Sequence, residues 1–137
     1  MVKSEVRAVV TTRAGNRCEY CHFPQEHFEV TFHVDHVVAS QHRRDDQESN
    51  LALACPPCNR KKGPNLSAID PTTQSIVVLF NPRQQVWAEH FRWNGTMIVG
   101  ITESGRATVA LLDLNDSERL ELRHSLLLDG NFPPGGW

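Results

Sequence analysis

Four side chains whose types suit hydrolytic chemistry fall within a short span: Asp35 and His36 are adjacent, Asn50 comes fourteen residues after His36, and Asn59 nine residues after that. Two cysteine pairs accompany them, Cys18 with Cys21 and Cys55 with Cys58. Hydrolysis of a phosphodiester makes two demands. Water must lose a proton as it attacks, and the charge that builds on the phosphate and the leaving oxygen must be neutralised. Imidazole is the side chain best suited to take a proton near neutral pH, which makes His36 the expected general base. Asp35 and Asn59 offer hard oxygen donors of the kind Mg2+ or Mn2+ takes while keeping positions for water and phosphate. Asn50 is expected either to fix the imidazole by a hydrogen bond or to support the loop it stands on. Neighbours on a strand point to opposite faces, so Asp35 and His36 serve one site only if a strand ends or bulges there.

The cysteines read as a second metal site. All four are used in two C-x2-C pairs, and Met1–Thr12 carries Lys3, Glu5 and Arg7 rather than the apolar core of a signal peptide. That combination favours a metal over disulfides. Two knuckles close a tetrahedral four-thiolate site, which suits Zn2+ with Zn–S distances near ~2.3 Å. Such a site has no open position, so this zinc is expected to be structural, tying residue 18 to residue 58 and clamping the segment between them.

The elements that must position these groups are readable in outline. Ser4 to Ala14 is expected as a helix with Val6, Val9 and Val10 on one face, Ser4 as its N-cap and Gly15 as its stop. Pro24 to Glu26 reads as loop, and the alternation of Phe28, Val30, Phe32 and Val34 as one strand, or two, ending near His36. Residues 39–50 are polar without periodicity, a long loop. Leu51 to Ala54 is a short strand, and Pro56-Pro57 opens a helix that Gly63-Pro64 closes. Beyond residue 70, Ile76 to Phe80 and Trp87 to Trp93 read as strands. Thr96 to Thr102 is expected to pair with the second of them across Asn94-Gly95. Ala107, Ala110, Leu111 and Leu114 recur at helical spacing. Asp116 caps a last helix with Leu120, Leu126 and Leu127 inside, and Gly130 to Trp137 reads as a loose tail.

The chain of 137 residues carries a net charge of −2, so composition makes no general case for nucleic-acid binding. Residues 1–69 hold nine Lys+Arg against eight Asp+Glu, and residues 70–137 hold five against eight. Any grip on DNA must come from a local patch. The candidates are Arg43, Arg44, Arg60, Lys61 and Lys62, all beside the motif, with Arg83, Arg92, Arg106 and Arg123 as further ones in the second half. His33, His42 and His90 read as structural or surface residues, and Trp87, Phe91 and Trp93 as core. The longest apolar runs, Ile76–Phe80 and Val109–Leu112, are too short to span a bilayer, so a cytoplasmic location is the default.

The segment Cys18-x2-Cys21…Val34-Asp35-His36-Val37…Asn50-Leu51…Leu53-x-Cys55-x2-Cys58-Asn59-x2-Lys62-Gly63 closely resembles the HNH nuclease signature, a branch of the ββα-metal (His-Me finger) nucleases, in a variant that ends in Asn rather than His. The resemblance covers about residues 13–64. It implies that Asp35 and Asn59 ligate one metal that bridges the scissile phosphate and the leaving oxygen. It further implies that His36 activates water and that Asn50 orients the site through its loop. More weakly, Phe80-Asn81-Pro82-Arg83, His90-Phe91 and Gly105-Arg106-Ala107-Thr108 resemble the tails of small stand-alone bacterial HNH proteins. Where many relatives have a glycine-containing stretch, this chain has Gln41-His42-Arg43-Arg44-Asp45-Asp46, a segment whose arginines could reach phosphates.

The expectation is thus an α+β protein. Residues 1–70 form a zinc-stapled ββα-metal core, and residues 71–137 a C-terminal β-hairpin and helical extension packed on it as one domain. Its expected activity is metal-dependent hydrolysis of DNA by one Mg2+ or Mn2+, with nicking favoured if the protein is a monomer with one site. The rival is a zinc-knuckle module that binds DNA without cutting it.

Overall fold

A computed structural model describes residues 3–132, so the expected tail lies outside the described residues from position 133 onward. The chain divides into two compact units, Met1–Leu66 with Asn81–Gln84, and Ser67–Phe80 with Gln85–Trp137. Among the described residues helices mix with three two-stranded antiparallel sheets, an α+β architecture.

The first unit opens with α1, Ser4–Arg13. Its N-cap is Lys3, so Ser4 is the first helical residue and not the cap. Val10 and Ala14 are buried while Val9 is exposed, which turns the inner face by one position from the Val6–Val9–Val10 stripe. Gly15 (φ +66°) and Asn16 (φ +56°) then turn the chain out of the helix in left-handed conformation. Two arginines of α1 hold later segments by their backbone. Arg7 Nη1 donates to the Phe32 carbonyl (3.0 Å), and Arg13 donates to the carbonyls of Glu48 (3.0 Å) and Leu51 (2.6 Å).

The strand expected from Phe28 begins only at His33. Over residues 28–32 the rings of Phe23, Phe28 and Phe32 pack edge to face (centroids 5.6 and 5.5 Å), and Val30 is exposed. The alternation there records an aromatic cluster rather than a ladder. Ahead of it Gln25–His27 is a 3-10 turn, not open loop. Gln25 braces the run, its Oε1 accepting from Phe32 N and its Nε2 donating to Val30 O. β1 (His33–His36) then pairs antiparallel with β2 (Leu51–Ala54), placing Asp35 opposite Ala52 and His36 opposite Leu51. Every residue of β2 is buried. α2 (Pro56–Lys62) follows at once, with proline at its start and Gly63 (φ +51°) at its end. The order β1, loop, β2, α2 is the ββα arrangement expected.

In the second unit β3 (Ser67–Ile69) pairs with β4 (Ile76–Val78), Ile69 opposite Ile76. The sequence reading does not contain β3, and it takes β4 two residues too far. Trp87–Glu89 is a 3-10 turn, and β5 starts only at Phe91, running to Asn94. β6 (Met97–Gly100) pairs with it, Asn94 opposite Met97, so the two-residue hairpin loop is Gly95-Thr96. Gly95, at φ +63°, supplies the positive dihedral such a loop needs. α3 (Glu103–Leu112) is capped by Thr102 and α4 (Ser117–Leu128) by Asp116, each side chain accepting a bond from the first turn. Trp87 stacks on Phe91 and Trp93 (centroids 5.0 and 5.3 Å), the aromatic core expected.

The burial pattern of these helices corrects two expectations. In α3, Ala107, Thr108 and Leu112 are buried and Ala110 is exposed. In α4 the buried residues are Arg119, Arg123 and Leu126, while Leu127 is exposed. The arginines go inside because they satisfy backbone carbonyls at the end of α3, just beyond it and in the β5–β6 loop. Arg119 donates to Leu112 O (2.6 Å), and Arg123 donates to Leu114 O and to Thr96 O. Arg106 forms a two-pronged pair with Asp70 (2.8 and 3.0 Å). Of the second-half arginines considered for DNA, Arg106 and Arg123 are therefore structural, Arg83 in the first unit pairs with Glu19, and Arg92 is exposed. No helix among the described residues is long and apolar enough to cross a membrane.

Candidate metal-dependent active site

The two cysteine pairs meet. The sulfurs of Cys18, Cys21, Cys55 and Cys58 all lie within 4.8 Å of one another and all four residues are buried. Cys21 Sγ and Cys55 Sγ are 3.6 Å apart, far from a disulfide bond. It is close to the ~3.8 Å edge of a tetrahedron with Zn–S near ~2.3 Å. The first knuckle has an N–H to sulfur contact, Cys21 N to Cys18 Sγ, at 3.5 Å. Cys55 forms the N-cap of α2 and Cys58 lies in its first turn. Neighbouring thiols push the Cys55 thiol well up in pKa, and burial does the same for Cys58. A divalent cation at the centre is what lets such thiols ionise together. The donor set fits a structural zinc.

The knuckle is also stitched to the hairpin by the two residues between its cysteines. Glu19 is buried, accepts from Leu53 N (2.8 Å) and pairs with Arg83, while its own N–H donates to Leu53 O (2.9 Å). Burial raises the Glu19 carboxyl above its ordinary pKa, and the Leu53 N–H and Arg83 oppose that. Tyr20 is fully buried and donates its hydroxyl to Asp35 Oδ2 (2.9 Å).

Asp35, His36 and Asn59 line one open hollow of about 250 Å3 with Val34, Ala39, Ser40, Gly63 and Pro64. β1 ends at His36, which is the condition for two adjacent residues to face one site. Asp35 is 7% exposed. Burial pushes its carboxyl up in pKa, and the Lys62 ammonium and the Tyr20 hydroxyl pull it back. His36 Nε2 lies 2.8 Å from Asp46 Oδ1. An ionised carboxylate only accepts, so here Nε2 is the donor, and in the neutral ring the lone pair falls on Nδ1. A carboxylate and an amide oxygen with room for water and phosphate fit the hard-donor preference of Mg2+ or Mn2+.

Asn50 is buried and does not bond the imidazole. Its Oδ1 accepts from Val38 N (2.9 Å) and its Nδ2 donates to the carbonyls of Val38 (3.0 Å) and Asp45 (2.8 Å). Of its two expected roles, these bonds match loop support: they tie Asn50 to Val38 at the start of the loop and to Asp45, the residue before Asp46. Arg43, Arg44, Arg60 and Lys61 are exposed and none lines the hollow. Arg43 Nε lies 3.9 Å from Asp45.

Lys62 departs from the surface role expected for it. It is 2% exposed, and its ammonium lies 3.1 Å from Asp35 Oδ2 and 3.1 Å from the His36 carbonyl oxygen. The helical spacing contains the signal. Lys62 lies three residues after Asn59 and four after Cys58, the inward face of α2, whereas Arg60 and Lys61 fall on the other side. Tyr20 and Asp46 are further residues the motif does not point to. Tyr20 is marked only by being an aromatic residue inside a knuckle, and Asp46 by nothing, since an aperiodic loop does not encode where its side chains point.

Residues 18–65 match the family model HNH endonuclease. The matched stretch takes in both cysteine pairs, the ββα run and every residue that lines the hollow, so this part of the chain is similar to an HNH endonuclease domain and carries four cysteines grouped to hold a metal ion. The chain matches no curated protein and no solved structure.

Proposed function

We propose that this domain is a metal-dependent DNA endonuclease that hydrolyses phosphodiester bonds with one Mg2+ or Mn2+ and His36 as general base, nicking one strand at a time. One observation carries the reading: Asp35, His36 and Asn59, far apart in sequence or on a strand that would divide them, line the same hollow. Asp35 and Asn59 would hold the cation, which when bound neutralises charge on the phosphate and the leaving oxygen. The residues of the chain do the rest. The lone pair on His36 Nδ1 takes a proton from the attacking water, and Asp46, bonded to the opposite nitrogen, steadies the imidazolium that forms. Asn50 keeps the loop that carries Asp46 in place. Arg43, Arg44, Arg60 and Lys61 contact backbone phosphates from the exposed surface and set affinity rather than chemistry.

The test is cleavage of supercoiled plasmid by zinc-loaded protein with Mg2+, Mn2+ or EDTA, wild type beside His36→Ala. Loss of supercoiled DNA that needs the divalent cation and fails in the variant is the expected result, with open-circle DNA as product. A linear first product would replace nicking by double-strand cutting. Intact plasmid after incubation with folded wild type, or equal cleavage by His36→Ala, would overturn the reading. Retention of DNA without cleavage would favour the zinc-knuckle binding module.

A further inference from the structure

The two donors on Asp35 come from the two halves of the four-cysteine site. Tyr20 stands between Cys18 and Cys21, and Lys62 follows Cys58 by one helical turn. Both bear on the same oxygen: Tyr20 Oη lies 2.9 Å and Lys62 Nζ 3.1 Å from Oδ2. Lys62 Nζ also donates to Oδ1 at 3.4 Å, so the ammonium spans both oxygens while the Tyr20 hydroxyl is on Oδ2 alone. Burying a lysine ammonium and a carboxylate is costly unless each is paired, and Lys62 spends its burial on Asp35 and on the carbonyl of His36. Around this pair the hairpin is apolar, with Ala52 opposite Asp35, so a carboxylate here gains nothing from packing.

We infer that Tyr20 and Lys62 are positioning residues for Asp35, the Tyr20 hydroxyl holding Oδ2 and the Lys62 ammonium spanning both oxygens, which together fix the orientation in which the carboxylate is offered to the divalent cation, so that the four-cysteine site sets the geometry of the second metal site. This rests on the reading above that Asp35 and Asn59 bind a cation in the hollow. Partners of this kind fix the orientation of a ligand, and their loss typically weakens metal affinity by about 10- to 100-fold. Tyr20→Phe deletes one hydroxyl and keeps the buried ring. It changes the orientation of Asp35 while leaving the cysteines alone.

The experiment measures Mn2+ binding to the zinc-loaded chain by loss of the free-ion EPR signal, for wild type, Asp35→Asn, Asn59→Ala, Tyr20→Phe, Lys62→Arg and Lys62→Met. Zinc content and melting temperature are read on the same samples. Tyr20→Phe is expected to bind Mn2+ about 10-fold more weakly with wild-type zinc content, and its DNA cleavage to recover at raised Mn2+. Lys62→Arg, which keeps a cationic donor, is expected to lose less affinity than Lys62→Met. Wild-type Mn2+ affinity in Tyr20→Phe, with affinity lost in Asp35→Asn, would overturn the positioning role and leave the endonuclease reading standing. Mn2+ binding that ignores both Asp35→Asn and Asn59→Ala would instead remove the reading on which the inference rests. If Lys62→Met does not fold, Tyr20→Phe decides alone.

Discussion

The two units bury charge in opposite ways. In the first, the buried charged side chains Glu19, Asp35 and Lys62 interlock with the cysteine knuckles, and one of them ends at an open hollow. In the second, Arg119 donates to the Leu112 carbonyl, Arg123 to those of Leu114 and Thr96, and Asp70 is closed off by Arg106 and by the Thr72 N–H and the Thr73 hydroxyl. The four-cysteine group is the metal-type cluster found among the described residues, and it belongs to the first unit. Buried charge is thus not by itself a sign of chemistry. What separates the regions is whether the pairing leaves a carboxylate and an imidazole lining a hollow or is closed on carboxylate, amide and carbonyl partners.

The comparison breaks most visibly if zinc is withdrawn. Structural zinc sites supply an apparent ~10–16 kcal/mol, as much as or more than the whole stability of a typical domain, so the first unit should unfold when a strong chelator strips the metal. Trp87 and Trp93 lie in the second unit and Tyr20 in the first, which gives separate reporters. Backbone amide resonances of Met1–Leu66 should collapse while tryptophan emission holds its wavelength. A red shift of that emission at the same chelator concentration would show that the second unit depends on the zinc as well.

What could be read beforehand follows the range of the signal. The knuckles, the end of β1 at His36, the helix after Pro56 and the hairpin beside Asn94-Gly95 are all specified by residues within a few positions of one another, and each was legible. β3 was not, because three residues at Ser67–Ile69 form a strand only by pairing with Ile76–Val78. Phe28–Phe32 misled for the converse reason: its alternation is real, but among the described residues no strand pairs with it to make a ladder, and the rings pack on each other instead. That Asp35, His36 and Asn59 would meet was legible through their joint spacing, and all three line one hollow. The destinations of Lys62 and Arg123 were not, since their partners lie up to 27 residues away and a basic residue looks the same in sequence whether it meets phosphate, carboxylate or carbonyl.

A smaller effect should be confined to the second unit. A Cβ added at Gly105 would stand 2.1 Å from the His90 carbonyl oxygen and 3.2 Å from Thr102 Oγ1, and one added at Gly100 would stand 2.4 Å from Arg106 N. The start of α3 therefore packs against backbone with no space for a side chain. Gly105→Ala is expected to cost about 3 kcal/mol, the upper range for overpacking a filled site, read as a lower midpoint of the tryptophan-monitored melt. Zinc content should be unchanged. A melt at the wild-type temperature would mean that α3 shifts to make room and that this contact is not a constraint.

The smallest effect sharpens how the second unit uses its charges. The Arg106 guanidinium, with the Thr72 N–H and the Thr73 hydroxyl, holds the Asp70 carboxyl well below the usual carboxylate range. A depressed folded-state value means that the pair's stabilisation is complete above the unfolded value, near ~3.9 for aspartate, and drains away as pH falls beneath it through the folded value. The gap in melting temperature between wild type and Arg106→Met should therefore be constant from pH 7 down to about pH 5 and close in stronger acid. Tryptophan-monitored melts across that range provide the check. A gap that stayed the same below the carboxylate range would assign the effect of Arg106 to its packing, and the second unit would then owe its stability to shape rather than to paired charge.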